Sequence, residues 1–198
     1  MRSNEAVSDN KKPMILFFAG PNGSGKSTIT EFFEIVGDYT NADEVVKATG
    51  CTNLEAAELV DKRRYEAISE KKDFTFETVL SSNYKLDILK KARSEGYFIK
   101  GVFVLTASPE INVTRIESRV SVGGHDVEKE KIISRYWKSL KNINELLSIC
   151  DIIHVYDNSG AKPIRIIRKH KDDISIFPNG VWDSDRILKL MNGDVGQP

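Results

Sequence analysis

The segment Gly20-Pro21-Asn22-Gly23-Ser24-Gly25-Lys26-Ser27 constrains this chain more than any other. It matches the spacing G-x-x-x-x-G-K-[ST] without a gap. An uninterrupted apolar run, Met14-Ile15-Leu16-Phe17-Phe18-Ala19, comes before it, as expected of a strand buried on both faces of a parallel sheet. Residues Ser27 to Val36 read as the helix that follows, ended by Gly37 and Asp38. Strand, glycine turn and helix in that order make a P-loop. Its glycines let the backbone N–H groups point inward at phosphate oxygens, and the helix N-terminus adds a positive dipole end. On this reading Gly20, Asn22, Gly23, Ser24, Gly25, Lys26, Ser27 and Thr28 hold the phosphates of ATP. Lys26 reaches the β- and γ-phosphates, and the Ser27 hydroxyl ligates Mg²⁺.

The rest of the chain alternates strand and helix patterns. Strands are expected at Tyr39–Ala42, Phe74–Leu80, Tyr97–Leu105 and Ile152–Tyr156. Helices are expected from Asn53, as its own cap, to Lys72, from Tyr84 to Glu95, and from Pro109 to the Gly123-Gly124 pair. One long helix is expected from Asp126 or Val127 to Cys150, with Ile132, Tyr136, Trp137, Leu140, Ile143 and Leu147 on its core face. This order predicts an α/β fold of the P-loop NTPase type, a doubly wound, mostly parallel sheet of about five strands. Residues 1–12 read as a flexible tail, 13–160 as the P-loop domain, and 161–198 as a small C-terminal extension packed on it. That extension holds strand-like runs at Ile164–Ile167 and Ile174–Phe177 and a helix near Trp182–Met191.

Composition narrows the setting. The 29 basic and 29 acidic residues cancel, so charge points to neither nucleic acid nor an anionic membrane as partner. Met1 to Lys12 carries no apolar segment of the secretory kind. The two cysteines, Cys51 and Cys150, lack metal-ligand spacing and read as idle thiols. A cytoplasmic protein is the default expectation.

The class of P-loop protein follows from what accompanies the loop. No Asn-Lys-x-Asp base-reading motif is present, nor a Leu-Ser-Gly-Gly signature, and no apolar strand ends in an Asp-Glu pair. A compact phosphotransferase fits better than a signalling GTPase, a transporter ATPase or a motor. Such an enzyme must hold an acceptor hydroxyl in line, take its proton and neutralise charge on the transferring group. Asp43, in Asn41-Ala42-Asp43-Glu44 at the carboxyl end of the second strand, is either the base or a helix N-cap. Glu77 interrupts the apolar strand Phe74-Thr75-Phe76-Glu77-Thr78. It is either an edge-strand surface residue or a ligand for substrate hydroxyls or Mg²⁺. Arg115, Arg119 and Arg135 flank a glycine break and are either lid clamps or solvated helix faces. His125 fits a loop or capping role better than a catalytic one.

Together these pieces resemble the zeta-toxin family of P-loop kinases. The resemblance is carried in order by Gly20–Thr28, Asn41–Asp43, Phe74–Ser81, Arg119–Val127, Ile132–Tyr136 and Asp157–Ser159. It implies transfer of the ATP γ-phosphate to a sugar hydroxyl, with a nucleotide sugar such as UDP-N-acetylglucosamine as acceptor. It would make Asp43 the base, Lys26, Arg119 and Arg135 the charge clamps, Glu77 and Thr78 acceptor-binding residues, and Asn158 part of the nucleotide site. The register of the lid arginine admits Arg115 as well as Arg119. An antitoxin partner is a further implication. Two other readings stay open: a kinase for another hydroxylated metabolite (a nucleoside, a cofactor ribose or a free sugar), and an ATP-binding regulatory module that transfers nothing.

Overall fold

The computed structural model describes residues 11–123 and 127–196. Its centre is β1 (Met14–Ala19), in which Ile15 to Ala19 are all at most 1% exposed. The run is apolar at every position because the strand is covered on both faces. Six further strands join it: β2 (Asp38–Thr40), β3 (Phe74–Thr78), β4 (Phe98–Leu105), β5 (Ile152–Asp157), β6 (Ile164–His170) and β7 (Asp173–Ile176). They form one sheet in the order β2-β3-β1-β4-β5-β6-β7. The first five strands are parallel, and β6 and β7 extend the sheet antiparallel from β5. The sheet is therefore a mostly parallel α/β sheet of seven strands, not five, because both strand-like runs of the C-terminal segment pair into it. Gly101 of β4 faces the Phe17 ring, which a Cβ would overlap, so β1 and β4 close tightly.

The helices are α1 (Lys26–Thr30), α2 (Ala42–Thr49), α3 (Asn53–Ser69), α4 (Asn83–Ser94), α5 (Pro109–Val120), α6 (Lys129–Lys141), α7 (Ile143–Ile149) and α8 (Ser184–Asn192). The main core lies on one face of the sheet, where Ile15, Phe17, Phe76 and Phe103 meet Leu86 and Leu89 of α4, Tyr136 and Leu140 of α6, and Ile187 of α8. A smaller cluster on the opposite face joins Leu16, Phe18, Val102 and Val104 to Ile29. Trp137 is half-buried against the main core, and Tyr136 beside it is fully buried. No described helix is long and apolar enough to cross a membrane.

Four of the differences from the sequence expectation each have a specific physical reason. The helix after the P-loop stops at Thr30 instead of reaching Val36. The Phe33 ring turns back onto Phe18, at 5.5 Å between centroids, and both the N–H and the carbonyl of Val36 are bonded to the Thr75 hydroxyl. Helical pairing cannot coexist with that arrangement. The second strand ends at Thr40, and the chain turns at once into α2, which the pattern did not reveal because none of its residues is buried. The cap of α3 is Thr52, not Asn53: its hydroxyl accepts the Glu55 N–H while Glu55 accepts the Thr52 N–H, a full capping box. The long helix expected up to Cys150 is two helices broken at Asn142. There the Asn142 amide donates to the Leu80 carbonyl at 2.8 Å, so the break is tied to the loop after β3. Gly124, His125 and Asp126 of the expected lid break, and residues 1–10 of the expected tail, lie outside the described residues.

Candidate active site

The carboxyl ends of β1, β3, β4 and β5 surround the loop Gly20–Ser27, the place where open α/β sheets gather ligand groups. Two asparagines brace this loop at separate carbonyls. Asn112 of α5, fully buried, donates its amide to the Asn22 carbonyl at 2.7 Å. Asn158, just past β5, donates its amide to the Ser24 carbonyl at 2.8 Å. The loop glycines admit these contacts. Gly23 has φ +77, and a Cβ there would come within 2.6 Å of the Asn112 carbonyl oxygen. Asp157 accepts the Ser159 N–H and hydroxyl, and the Ser159 hydroxyl oxygen accepts the Ala107 N–H at 2.7 Å, so Asp157-Asn158-Ser159 is a turn that locks the loops after β4 and β5 to the P-loop. The Ser24 hydroxyl is buried inside this loop and has no hydrogen-bond partner among the described residues.

Lys26 folds back over the loop. Its ammonium donates to the Gly20 carbonyl at 2.8 Å and the Pro21 carbonyl at 3.2 Å. Burial pulls its pKa down to about 8. The negative charges of Glu77 and then Asp43 act against that shift, and the positive charge of Arg119 adds to it. The charges of these three side chains, from β3, α2 and α5, thus all act on one ammonium.

Glu77 is half-buried near the end of β3. Its Oε1 accepts from the Tyr39 hydroxyl at 2.8 Å and the Thr30 hydroxyl at 3.0 Å, and its Oε2 from the Ser27 hydroxyl at 3.4 Å. Burial pushes the Tyr39 phenol far above its ordinary value, so it stays a donor, and it accepts from the Asn41 amide at 3.2 Å. Hydroxyl and carboxylate oxygens side by side are the hard donors that Mg²⁺ takes. Among the described residues no cluster of three or more His, Cys, Asp or Glu side chains can hold a metal alone. A cation at Ser27 and Glu77 would draw its remaining ligands from phosphate and water, as Mg²⁺ commonly does. The residues present fit that ion.

The other expected residues occupy definite places. Asp43 lies in the first turn of α2, exposed, and its N–H donates to the Asn41 side chain. Asn41 is therefore the N-cap, and the Asp43 carboxylate is not spent on capping. Thr78 is 9% exposed, and its hydroxyl oxygen accepts the Leu80 N–H at 3.1 Å, stabilising Leu80 at φ +55. A buried leucine in the left-handed region is strained. Ser139 and Asn142 hold the loop in that shape through the Val79 and Leu80 carbonyls. Arg135, in the second turn of α6, points its guanidinium at the Asn22 side chain, 3.5 Å away. Arg119 is exposed on α5, and its charge acts on Lys26; Arg115 donates to the Asn158 carbonyl at 2.7 Å. Thr28 is exposed at the start of α1. The residues that sequence reasoning passed over are Thr30, Tyr39 and Asn112. Only Asn112 left a trace, a polar side chain one position before the apolar pair Val113 and Ile116 on the buried face of α5.

The family model described as Zeta toxin matches residues 1–171. A Haemophilus influenzae protein described as uncharacterized is 29% identical over 127 residues, 61% of this chain and 91% of that protein. Among solved structures, AvrRxo1-ORF1:-ORF2 with ATP is similar at a TM-score of 0.68 and 13% identity, over 96% of this chain and 67% of that one. The PezAT chromosomal toxin-antitoxin system of Streptococcus pneumoniae is similar at a TM-score of 0.59 and 16% identity, over 98% of this chain and 84% of that one. At such identities the structural likeness is one of fold.

Proposed function

The chain belongs to the zeta toxin family, and from that premise we propose that it is an ATP- and Mg²⁺-dependent kinase. Its acceptor is a hydroxyl of a small molecule, in the first place a nucleotide sugar such as UDP-N-acetylglucosamine. The observation that carries this reading is the placement of the Glu77 carboxylate against the Ser27 hydroxyl at the end of the P-loop, with Thr30 and Tyr39 bonded to the same carboxylate. The AvrRxo1 structure with ATP supports the choice of nucleotide.

In this reading each residue has one task. The loop backbone and Lys26 hold the β- and γ-phosphates. Ser27 and Glu77 would hold Mg²⁺, whose charge would offset that of the phosphates. Asp43 takes the proton of the acceptor hydroxyl as its oxygen bonds to the γ-phosphorus and the bond to the leaving ADP oxygen breaks. Arg119 and Arg135 balance charge on the transferring group. Thr78 shapes the acceptor side of the site through Leu80, and Asn158 and Asn112 keep the loop rigid. Positioning and electrostatics are the main contributions a protein can make to phosphoryl transfer.

The deciding experiment incubates the protein with labelled ATP and a panel of nucleotide sugars, nucleosides and free sugars, and weighs the products. A sugar nucleotide heavier by one phosphoryl group is expected. A phosphorylated nucleoside or free sugar would move the acceptor to another metabolite. Phosphate release with no acceptor product would replace the kinase by a slowly hydrolysing regulatory module. Control by a partner protein of the antitoxin kind belongs to the same proposal, and the PezAT toxin-antitoxin likeness supports it.

A further inference from the structure

Helix α3 places a charge where a core helix ordinarily places a leucine. Arg64 is 2% exposed. Its Nη1 donates to Asp61 Oδ1 at 2.9 Å and its Nε to the Thr40 hydroxyl at 2.9 Å. Its Nη2 donates to two main-chain carbonyls, Thr40 at 3.2 Å and Glu77 at 3.5 Å. The guanidinium also lies over the Phe76 ring, 4.5 Å from the centroid. Asp61, itself buried, is held from the far side by the Lys85 ammonium at 2.5 Å. A buried ion pair is a costly way to fill a core position, so its particular acceptors matter.

They mark the point where two strands part. β2 and β3 pair in parallel as far as Thr40 opposite Phe76. Beyond it, β2 leaves the sheet through Asn41 into the turn that carries Asp43, while β3 runs on to Glu77 and Thr78. Arg64 fills the fork. Its planar donors bond both strand ends where the ladder between them has stopped. One flat, rigid group thereby sets how far the Asp43 turn stands from Glu77. A lysine, with a single point of charge on a flexible stem, cannot bond three acceptors in one plane.

We infer that Arg64 is a positioning residue for phosphoryl transfer, acting through Thr40 and the Glu77 main chain on the spacing between Asp43 and Glu77; this rests on the kinase reading above. Displacing a reacting group by about 1 Å can cost about 10²-fold in rate, and the loss falls on turnover, because the P-loop itself does not touch Arg64.

The test compares the full chain with R64K and T40V. T40V removes one acceptor of the fork without stranding a buried charge, so it keeps the question answerable if R64K does not fold. ATP affinity by calorimetry, the unfolding midpoint, and kcat and KM with the acceptor found above are measured for each. For R64K we expect kcat to fall about 10²-fold with ATP affinity within about twofold of wild type, and for T40V a several-fold fall in kcat with the same affinity. Unchanged kcat per folded molecule in these variants, even with a lowered midpoint, overturns the inference and leaves Arg64 a structural residue. Loss of ATP affinity in step with kcat also overturns it. A wild-type chain that phosphorylates no acceptor sinks the kinase reading and the inference together, a result distinct from active wild type with indifferent variants.

Discussion

The Ser27 hydroxyl donates to Glu77 Oε2 at 3.4 Å, although the two residues lie 50 positions apart in the chain. With Thr30 and Tyr39 bonded to the same carboxylate, Glu77 is fixed beside the last residue of the P-loop. Glu77→Gln keeps the shape and removes the charge. The Mg²⁺ concentration for half-maximal activity is expected to rise by about 10–100-fold, the usual cost of losing a carboxylate that supports a metal site. A Mg²⁺ titration at fixed ATP reads this. An unchanged Mg²⁺ requirement with a raised KM for the acceptor would instead assign Glu77 to the acceptor's hydroxyls.

Lys26 provides a pH signature. Its pKa near 8 in the free protein is set first by burial, and phosphate oxygens beside it favour the charged form, so binding raises that pKa. Below pH 8 the lysine is protonated both free and bound, and affinity is flat with pH. Above pH 8 binding takes up a proton, and affinity for ATP falls by up to about tenfold per pH unit until the bound-state pKa is passed. Calorimetric titrations at pH 9 in buffers of different ionisation heat should show this uptake; none would remove Lys26 from the phosphates. Lys26→Ala should lower kcat/KM at least about tenfold, or 1.4 kcal/mol, with the fold intact.

Asp43→Asn separates base from metal ligand. Because Asn41 already caps α2, the substitution should leave stability unchanged. Loss of a general base costs about 10²–10⁴-fold, and it should appear in kcat with the KM for ATP unmoved. Near-normal turnover would dismiss Asp43 as the base. Weaker nucleotide binding that extra Mg²⁺ restores would make it a metal ligand.

Asn158→Ala strips the donor from the Ser24 carbonyl. A polar group left unpaired in a half-buried setting costs about 1–3 kcal/mol, so urea unfolding should shift by an amount of that order. ATP affinity should fall as well, because the loop loses one of its two braces. A stability loss with unchanged affinity would show that Asn112 alone keeps the loop in shape.

What the sequence by itself determined is local. The apolar run of β1, the glycine spacing of Gly20–Ser27 and the alternation of strand and helix each follow from the conformational needs of a few adjacent residues, so fold class and phosphate loop were legible directly. Asp43 and Glu77 were legible as carboxylates in unusual places, but their company was not. That Glu77 meets Ser27, Thr30 and Tyr39, that Asn112 and Asn158 grip the P-loop at the Asn22 and Ser24 carbonyls, and that Arg64 fills the fork between β2 and β3 depend on strand order and crossover, which bring together residues tens of positions apart. The same holds for the lost ends of α1 and the break at Asn142. Helical propensity favoured continuing, and distant partners, Thr75 and Leu80, took the backbone groups or bent the chain instead. Secondary structure is proposed by short-range sterics, caps and periodicity, but hydrogen bonds between residues far apart in the chain become available only once the sheet has set the distances, and these decide where α1 and α6 stop and which side chains share a site.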